Sequence, residues 1–376
     1  MYIHEQSDWP HFRWDKKRVD EKLQRIYLAS GYLRGRLSLI GFEDRMTTGA
    51  EALSREVLGS SEIEGVTLNT DQVRSSAARR LGVTLSGELP SSHYIDDIVE
   101  MTYDAQSHYD EPLTEERLMG WHSSLFPTGR SGNVRIDVAR YRTAPMKVVS
   151  GIMGREKVHY EAPAPERLKN EMALFLEWFN SDSDQELLKS AIAHFWFVTI
   201  HPFDDGNGRI GRAIADMALS RFEGSGVRFY SISEQIRKEK KGYYKALEQA
   251  QKGTCDLTEW LVWYLDTVLH AIERSEEMLS GVLNKVLFWQ THARTTISER
   301  QKQVLNLYLD GRKAKLTVKN WAKAAGVSPD TAARDIKDLV AKGVLVPRKS
   351  TVRDAFYGIR CQESSVYVPM PDSSDK

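Results

Sequence analysis

From Lys16 to about Met46 apolar residues return every three or four positions, at Leu23, Ile26, Leu33, Leu37 and Ile40. That is the period of a helix with one buried face. The same pattern predicts helices over 50–63, 94–109, 114–125 (with Thr114 as N-cap), 164–180, 185–200, 209–222, 238–251 and 257–287. Within 185–200 the run LLKSAIAHFWFVTI is apolar almost all round, which predicts a helix enclosed in a core. The texture changes between 140 and 165. Two short β-prone runs, 145–149 and 156–160, flank the glycines of SGIMG and predict a hairpin. Residues 297–360 read as three helices and a hairpin-like wing. Ser328 caps the third helix, and Pro329 stands in its first turn. Trp9, Pro10, Phe12 and Trp14 crowd the irregular opening, where such rings are expected to pack on a neighbouring surface. The chain is therefore expected to be mostly α.

Charge divides this pattern. The whole chain has 52 basic and 52 acidic residues, whereas 297–360 has 14 lysines and arginines against six acidic residues. The rest of the chain must then be equally acidic, which predicts a domain boundary near residue 295. Cys255 and Cys361 stand alone, excluding a disulfide scaffold and any zinc site built on several cysteines. The opening MYIHEQSDWP lacks the pattern of a signal peptide, and no apolar run approaches the ~20 residues that span a bilayer. A soluble, cytoplasmic protein is expected, with no membrane partner.

Residues 201–212 read HPFDDGNGRIGR and enter a helix. Gly206, Asn207 and Gly208 form a turn that can aim several N–H groups at one anion, aided by the helix dipole. Arg209 and Arg212, three apart, share the helix face beside it. His201 can exchange a proton near neutral pH. Asp205 offers a hard oxygen to Mg²⁺, which commonly bridges a carboxylate and phosphates. Nucleotide phosphate chemistry is one reading. A metal hydrolase using His201, Asp204 and Asp205 is another, although no second histidine stands nearby. No Walker loop occurs in the chain.

The string resembles the Fic family signature, HPFx[D/E]GNGRxxR, at every specified position. The likeness extends from the WPHFRWD opening through the hairpin to the tail. It implies a helical extension over 1–110, a Fic catalytic domain with a short β-hairpin flap over 111–290, and a winged helix-turn-helix over 295–365. The implied activity is transfer of AMP from ATP to a Ser, Thr or Tyr hydroxyl of a target protein or of the chain itself. Carried over by position, His201 would be the general base and Asp205 the Mg²⁺ ligand. Gly206, Asn207 and Gly208 would cradle phosphate oxygens, Arg209 would hold the β-phosphate, and Arg212 the γ-phosphate. Phe203 would anchor the loop in the core. The 145–161 hairpin would pair strand to strand with the target, and Val158 and His159 would lie over the nucleotide. Tyr243 and Tyr244 would border the adenine. Gln251 stands where some relatives have Asn.

Ser60, Glu64 and Gly65 fit the inhibitory motif of the family, [S/T]xxxE[G/N]. The resemblance implies that Glu64 pairs with Arg212 and fills the place of a γ-phosphate. Removal of AMP, another Fic phosphotransfer, and a nucleotide-sensing DNA-binding regulator are the alternatives. A homodimer, and DNA held through 297–360, complete the candidate partners. If DNA is bound, Thr331 and Arg334 would be the exposed residues of the third helix.

Overall fold

The computed structural model describes residues 1–85, 87–150, 157–309, 315–348 and 356–359, without the side chains of 281–284. The expected tip of the hairpin, Gly151–Gly154, and the expected tail residues 349–355, Arg360 and Cys361 lie outside the described residues. Contacts divide the chain into two compact units, Met1–Ser275 and Glu276–Lys376.

The first unit opens with α1 (Lys16–Leu37) and α2 (Phe42–Ile63). The apolar period suggested one helix reaching about Met46 and another from 50. The break falls earlier, at 38–41, because Gly41 takes an extended conformation and acts as N-cap for a first turn bearing Glu43 and Asp44. Next comes α3 (Thr70–Arg80), absent from the sequence reading. Its buried face is Val73, Ser75, Ser76, Ala77 and Ala78, too small and too polar to register as a hydrophobic stripe. Then follow α4 (His93–Ser107) and α5 (Glu115–Leu125), where the Thr114 side chain accepts from Arg117 N–H as N-cap.

Two antiparallel ribbons interrupt the helices. The first, β1 (Arg130–Ser131) with β2 (Val134–Arg135), was not foreseen. The second pairs β3 (Lys147–Ser150) with β4 (Lys157–Glu161), Val148 opposite Tyr160 and Val149 opposite Val158. Beyond them lie α6 (Leu168–Asn180), α7 (Glu186–Ile200), α8 (Asn207–Glu223), α9 (Ile232–Lys238), α10 (Lys240–Gln251) and the start of α11 (Thr258–Thr291), whose residues from Glu276 on belong to the second unit. As its sequence demands, α7 is buried from Leu187 to Ile200. It packs along α8, with α2, α4, α5 and α6 around the shared core of Phe175, Phe197, Phe203 and Ile214. The N-terminal aromatics cover this core: Trp9 and Phe12 meet Trp196 edge-on, with ring centroids 6.1 and 5.4 Å away.

At one place two helices come unusually close. A Cβ on Gly59 of α2 would lie 2.6 Å from Glu234 N and 2.7 Å from the Ser233 carbonyl carbon, both backbone of α9. Glu56, one turn earlier, accepts from Ser231 Oγ at 2.7 Å and from Ser233 N–H at 3.1 Å. Backbone cannot yield as a flexible side chain does. Gly59→Ala is therefore expected to cost about 1–3 kcal/mol, read as a lower melting temperature of the full chain.

The second unit holds α12 (Glu299–Leu309), α13 (Val318–Ala325), α14 (Pro329–Ala341) and an antiparallel pair, β5 (Leu345–Arg348) with β6 (Phe356–Ile359). Its own core gathers Leu305, Trp321, Ile336, Leu339 and Val344. Asp335 ties three elements together, accepting from Arg300 and from Trp321 Nε1. On α14, Arg334 is exposed and Thr331 partly so.

Candidate active site

The loop between α7 and α8 is built by its own side chains. Asn207 is buried, its Oδ1 accepting from Phe203 N–H at 2.9 Å and its Nδ2 donating to Phe203 O at 2.8 Å. Its side chain thus closes the loop on itself. Phe203 is fully buried and stacks on His122 at 4.3 Å between centroids, in agreement with an anchoring role. Gly206 is the N-cap of α8 at φ 83°, and a Cβ there would meet Phe126 at 2.9 Å, so both conformation and space require glycine. The N–H groups of Asn207, Gly208 and Arg209 fall in the first turn of α8, where no intrahelical acceptor exists. They form a cationic end ready for an anion.

His201 terminates α7 in the left-handed region, at φ 53°. Its Nδ1 lies 3.1 Å from Val198 O, an acceptor only, so Nδ1 carries the proton and Nε2 keeps its lone pair. The imidazole is held in the tautomer of a base. Burial lowers its pKa below the ordinary 6.5, with the nearby Arg142 charge adding to the effect; the Val198 bond, Glu64 and Asp205 oppose them.

The two arginines of the signature differ in their partners. Arg212 is buried and donates from Nε to Ser60 Oγ at 2.9 Å, and from Nη2 to Ser60 O and Glu64 Oε1, both at 2.8 Å. Burial opposes its charge, but Glu64 and Tyr243 hold its pKa above the ordinary arginine value. Arg209 lies over the Phe126 ring at 4.9 Å. Arg209 Nε and Arg212 Nη1 are buried and have no hydrogen-bond partner among the described residues. Buried donors of this kind are costly unless a ligand meets them.

Glu64 reaches this place because α2 stops there. Gly65 takes φ 78°, and Glu64 N–H and Gly65 N–H turn back to the carbonyls of Ser61 and Glu62. The carboxylate, 31% exposed against 3% for Arg212, ends at the C-terminal end of a helix dipole that disfavours it, so Arg212 is its compensation. A Cβ on Gly208 would collide with Glu64 Oε1, so glycine is needed for the carboxylate to lie against the loop. Glu64, Tyr94, Phe126, Ser131, Asp205 and Arg209 help line one cavity of about 540 Å³.

The remaining candidates surround this centre unevenly. Val158 is exposed on β4. His159 Nδ1 bonds Glu248 on α10 at 2.9 Å, and its Nε2 meets Ser150 Oγ at 2.5 Å, tying the hairpin to that helix. Lys252 first, and then His159, pull the Glu248 pKa down to about 2 by hydrogen bonding to its carboxylate. Tyr244 donates to Ile63 O at 3.3 Å, while the Tyr243 hydroxyl is buried against His194 Nε2 at 2.9 Å. Gln251 is buried, its Nε2 donating to Thr199 Oγ1 at 3.3 Å. Sequence reasoning missed Arg142. Buried, it donates to the carbonyls of His201, Ala144 and Pro163 at 2.8, 2.9 and 2.6 Å, joining the base of the hairpin to the histidine. A lone arginine in an irregular stretch gives no periodic signal.

Among the described residues no cluster of three His, Cys, Asp or Glu side chains could hold a metal unaided. Asp205 offers one carboxylate beside the N-terminus of α8, which suits Mg²⁺ that arrives on phosphates. No helix among the described residues is long and apolar enough to cross a membrane.

A profile of the Fic/DOC family matches residues 112–219, and a family described as "Domain of unknown function (DUF4172)" matches 2–83. The chain is 26% identical over 209 residues to "Protein adenylyltransferase Fic" of Nematostella vectensis, covering 54% of this chain and 44% of that one. It is 32% identical over 118 residues to "Uridine 5'-monophosphate transferase" of Xanthomonas campestris pv. campestris (strain 8004), covering 29% and 21%. The matches therefore span less than half the length of these relatives. The crystal structure of a Fic family protein from Desulfovibrio desulfuricans G20 aligns over 94% of this chain and 98% of its own, with a TM-score of 0.54 at 20% identity. That likeness shows a shared, mostly helical fold.

Proposed function

From a chain that carries a Fic/DOC family domain over residues 112–219, we propose a protein adenylyltransferase that moves AMP from ATP to a hydroxyl and is held back by Glu64. The observation that carries this reading is the pair of buried, unpartnered guanidinium donors at the N-terminus of α8 beside a histidine tautomer with its Nε2 lone pair free. A triphosphate, three anionic groups in a row, offers the acceptors that such donors call for. A base without phosphate donors would suit other chemistry, and phosphate donors without a base would only bind.

His201 Nε2 takes the proton of the target hydroxyl as its oxygen attacks the α-phosphorus. The bond from the α-phosphorus to the bridging oxygen breaks, and pyrophosphate leaves. The N–H groups of α8 and the Arg209 guanidinium stabilise charge on the phosphate oxygens, already aimed before reaction. Arg212 holds the distal phosphate when Glu64 releases it. Asp205 would hold Mg²⁺, whose charge, when bound, offsets that of the phosphates. The target lies along the 145–161 hairpin, where backbone pairing fixes the hydroxyl while asking little of the sequence. The three helices and strand pair of the second unit are assigned as a winged helix.

Mass spectrometry of proteins treated with ATP and the Glu64→Gly chain tests the reaction class. Gain of AMP on a hydroxyl side chain is expected. Gain of UMP only, when UTP is supplied instead, or loss of AMP from a modified target, would replace the proposal with a related Fic chemistry.

The histidine also sets a pH dependence. A folded-state pKa below 6.5 means that the neutral, proton-accepting form persists under acid conditions where an ordinary histidine is half charged. The acid limb of kcat/KM for the Glu64→Gly chain should therefore be centred below pH 6.5. The variant removes one group that raises the pKa, which moves the acid limb further down. An acid limb centred above 6.5 would contradict the arrangement.

A further inference from the structure

Asp205 is gripped at three atoms, and two of the grips come from outside the signature. Its Oδ1 accepts from Gly206 N–H at 2.6 Å, and its carbonyl accepts from His122 Nε2 at 3.2 Å. The other His122 nitrogen, Nδ1, accepts from Ala139 N–H at 3.1 Å, so the proton must be on Nε2. The third grip is the Ser131 hydroxyl, which donates to Asp205 Oδ2. Ser131 belongs to β1 of the small β1–β2 ribbon and lines the 540 Å³ cavity together with Asp205, Arg209 and Glu64.

We propose that Ser131 is a positioning residue for a divalent cation, fixing the rotamer of Asp205 before the metal–nucleotide arrives. The inference rests on the reading of Asp205 as the cation ligand. An aspartate free to turn about its side-chain bonds loses that freedom when it ligates, and a hydrogen bond made beforehand removes part of the cost. A carboxylate oxygen has more than one acceptor direction, so Oδ2 can keep the Ser131 bond and still face an ion. A hydroxyl serves this purpose where lysine or arginine would not, because it adds no positive charge to repel the cation. Groups that orient a ligating carboxylate are commonly worth ~10–100-fold in metal affinity.

Of the three grips, only Ser131 can be removed cleanly. Gly206 contributes backbone, and His122 is fully buried against Phe203. The test is a titration of Mn²⁺, followed by electron paramagnetic resonance, into the full-length Glu64→Gly chain saturated with α,β-methylene ATP. Ser131→Ala is expected to weaken Mn²⁺ binding by ~10–100-fold, while affinity for the nucleotide in EDTA stays unchanged. Ser131→Thr, which keeps the hydroxyl, should restore the parent value. Equal Mn²⁺ affinity in Ser131→Ala and its parent overturns the proposal, as does equal loss in the alanine and threonine variants. Asp205→Ala separates the two layers. If it too leaves Mn²⁺ binding intact, the cation reading of Asp205 fails and Ser131 falls with it. If Asp205→Ala weakens binding and Ser131→Ala does not, only the role of Ser131 is lost.

Discussion

The Glu64→Gly chain is expected to transfer AMP ~10–100-fold faster than the parent at the same ATP concentration. The size follows from what Glu64 holds. Its Oε1 takes one Arg212 N–H at 2.8 Å, while Nε and the other Nη2 hydrogen go to Ser60 and Nη1 has no described partner. A charge-assisted bond is worth about 1.5–3 kcal/mol. A terminal phosphate must displace it before the triphosphate can settle, and each 1.4 kcal/mol changes a population about tenfold. Removing the carboxylate removes that competition and leaves Nη1 and Nη2 for the phosphate. Glycine suits a position that already ends α2, so the helix should keep its stop. Radiolabel transfer from ATP, compared at matched concentrations of folded protein, reads the effect. Equal rates in the two chains would show that the Glu64–Arg212 contact restrains nothing. Glu64→Gln refines the test: an amide keeps the size of the side chain but loses the charge, so most of the gain should survive.

His201→Ala in the Glu64→Gly background should lose ~10²–10⁴-fold in transfer, the usual worth of a general base. Nucleotide affinity should hardly change, because two described bonds of His201 run to backbone within its own segment, Nδ1 to Val198 O and its N–H to Phe197 O, and the third brings Arg142 Nε to its carbonyl. The last two survive substitution. One complication is conformational, since His201 sits at φ 53°, where alanine carries a penalty of about 1–2 kcal/mol. Asparagine tolerates that region better. His201→Asn should therefore melt closer to the parent yet remain as inactive. Loss of transfer together with loss of nucleotide binding in both variants would move His201 from proton transfer to loop construction.

These expectations trace to residues whose positions in the sequence already set them apart. HPFDDGNGRIGR packs its instructions into one turn, and Ser60, Glu64 and Gly65 stand one helical turn apart at a helix end. The resemblance to the Fic signature and to its inhibitory motif is what placed them. The residues that stitch the loop to its surroundings were not legible. Arg142, Ser131 and Ala139 belong to 126–144, where neither a 3.6 nor a 2 period holds, and their meaning arises only when distant backbone folds against them. The turn at 38–41 was concealed for a different reason. Leu39 and Phe42 continue the apolar run that precedes them, yet they are 56% and 68% exposed. Hydrophobicity there reported composition rather than burial. α3 erred the opposite way, burying serines and alanines that carry little hydrophobic signal.

The seat of α2 on α9 limits how restraint can be lifted. With Gly59 against the backbone of Ser233 and Glu234, and Glu56 bonded to Ser231 and Ser233, the helix has no slack along or across its axis one turn before the site. Withdrawal of the whole segment would strand a buried carboxylate. Swinging a single side chain about its own bonds strands nothing, since Glu64 is already part open to water. On the proposed reading of Glu64, relief is expected to be graded, set by competition between two anions for one guanidinium, with nucleotide concentration as the throttle.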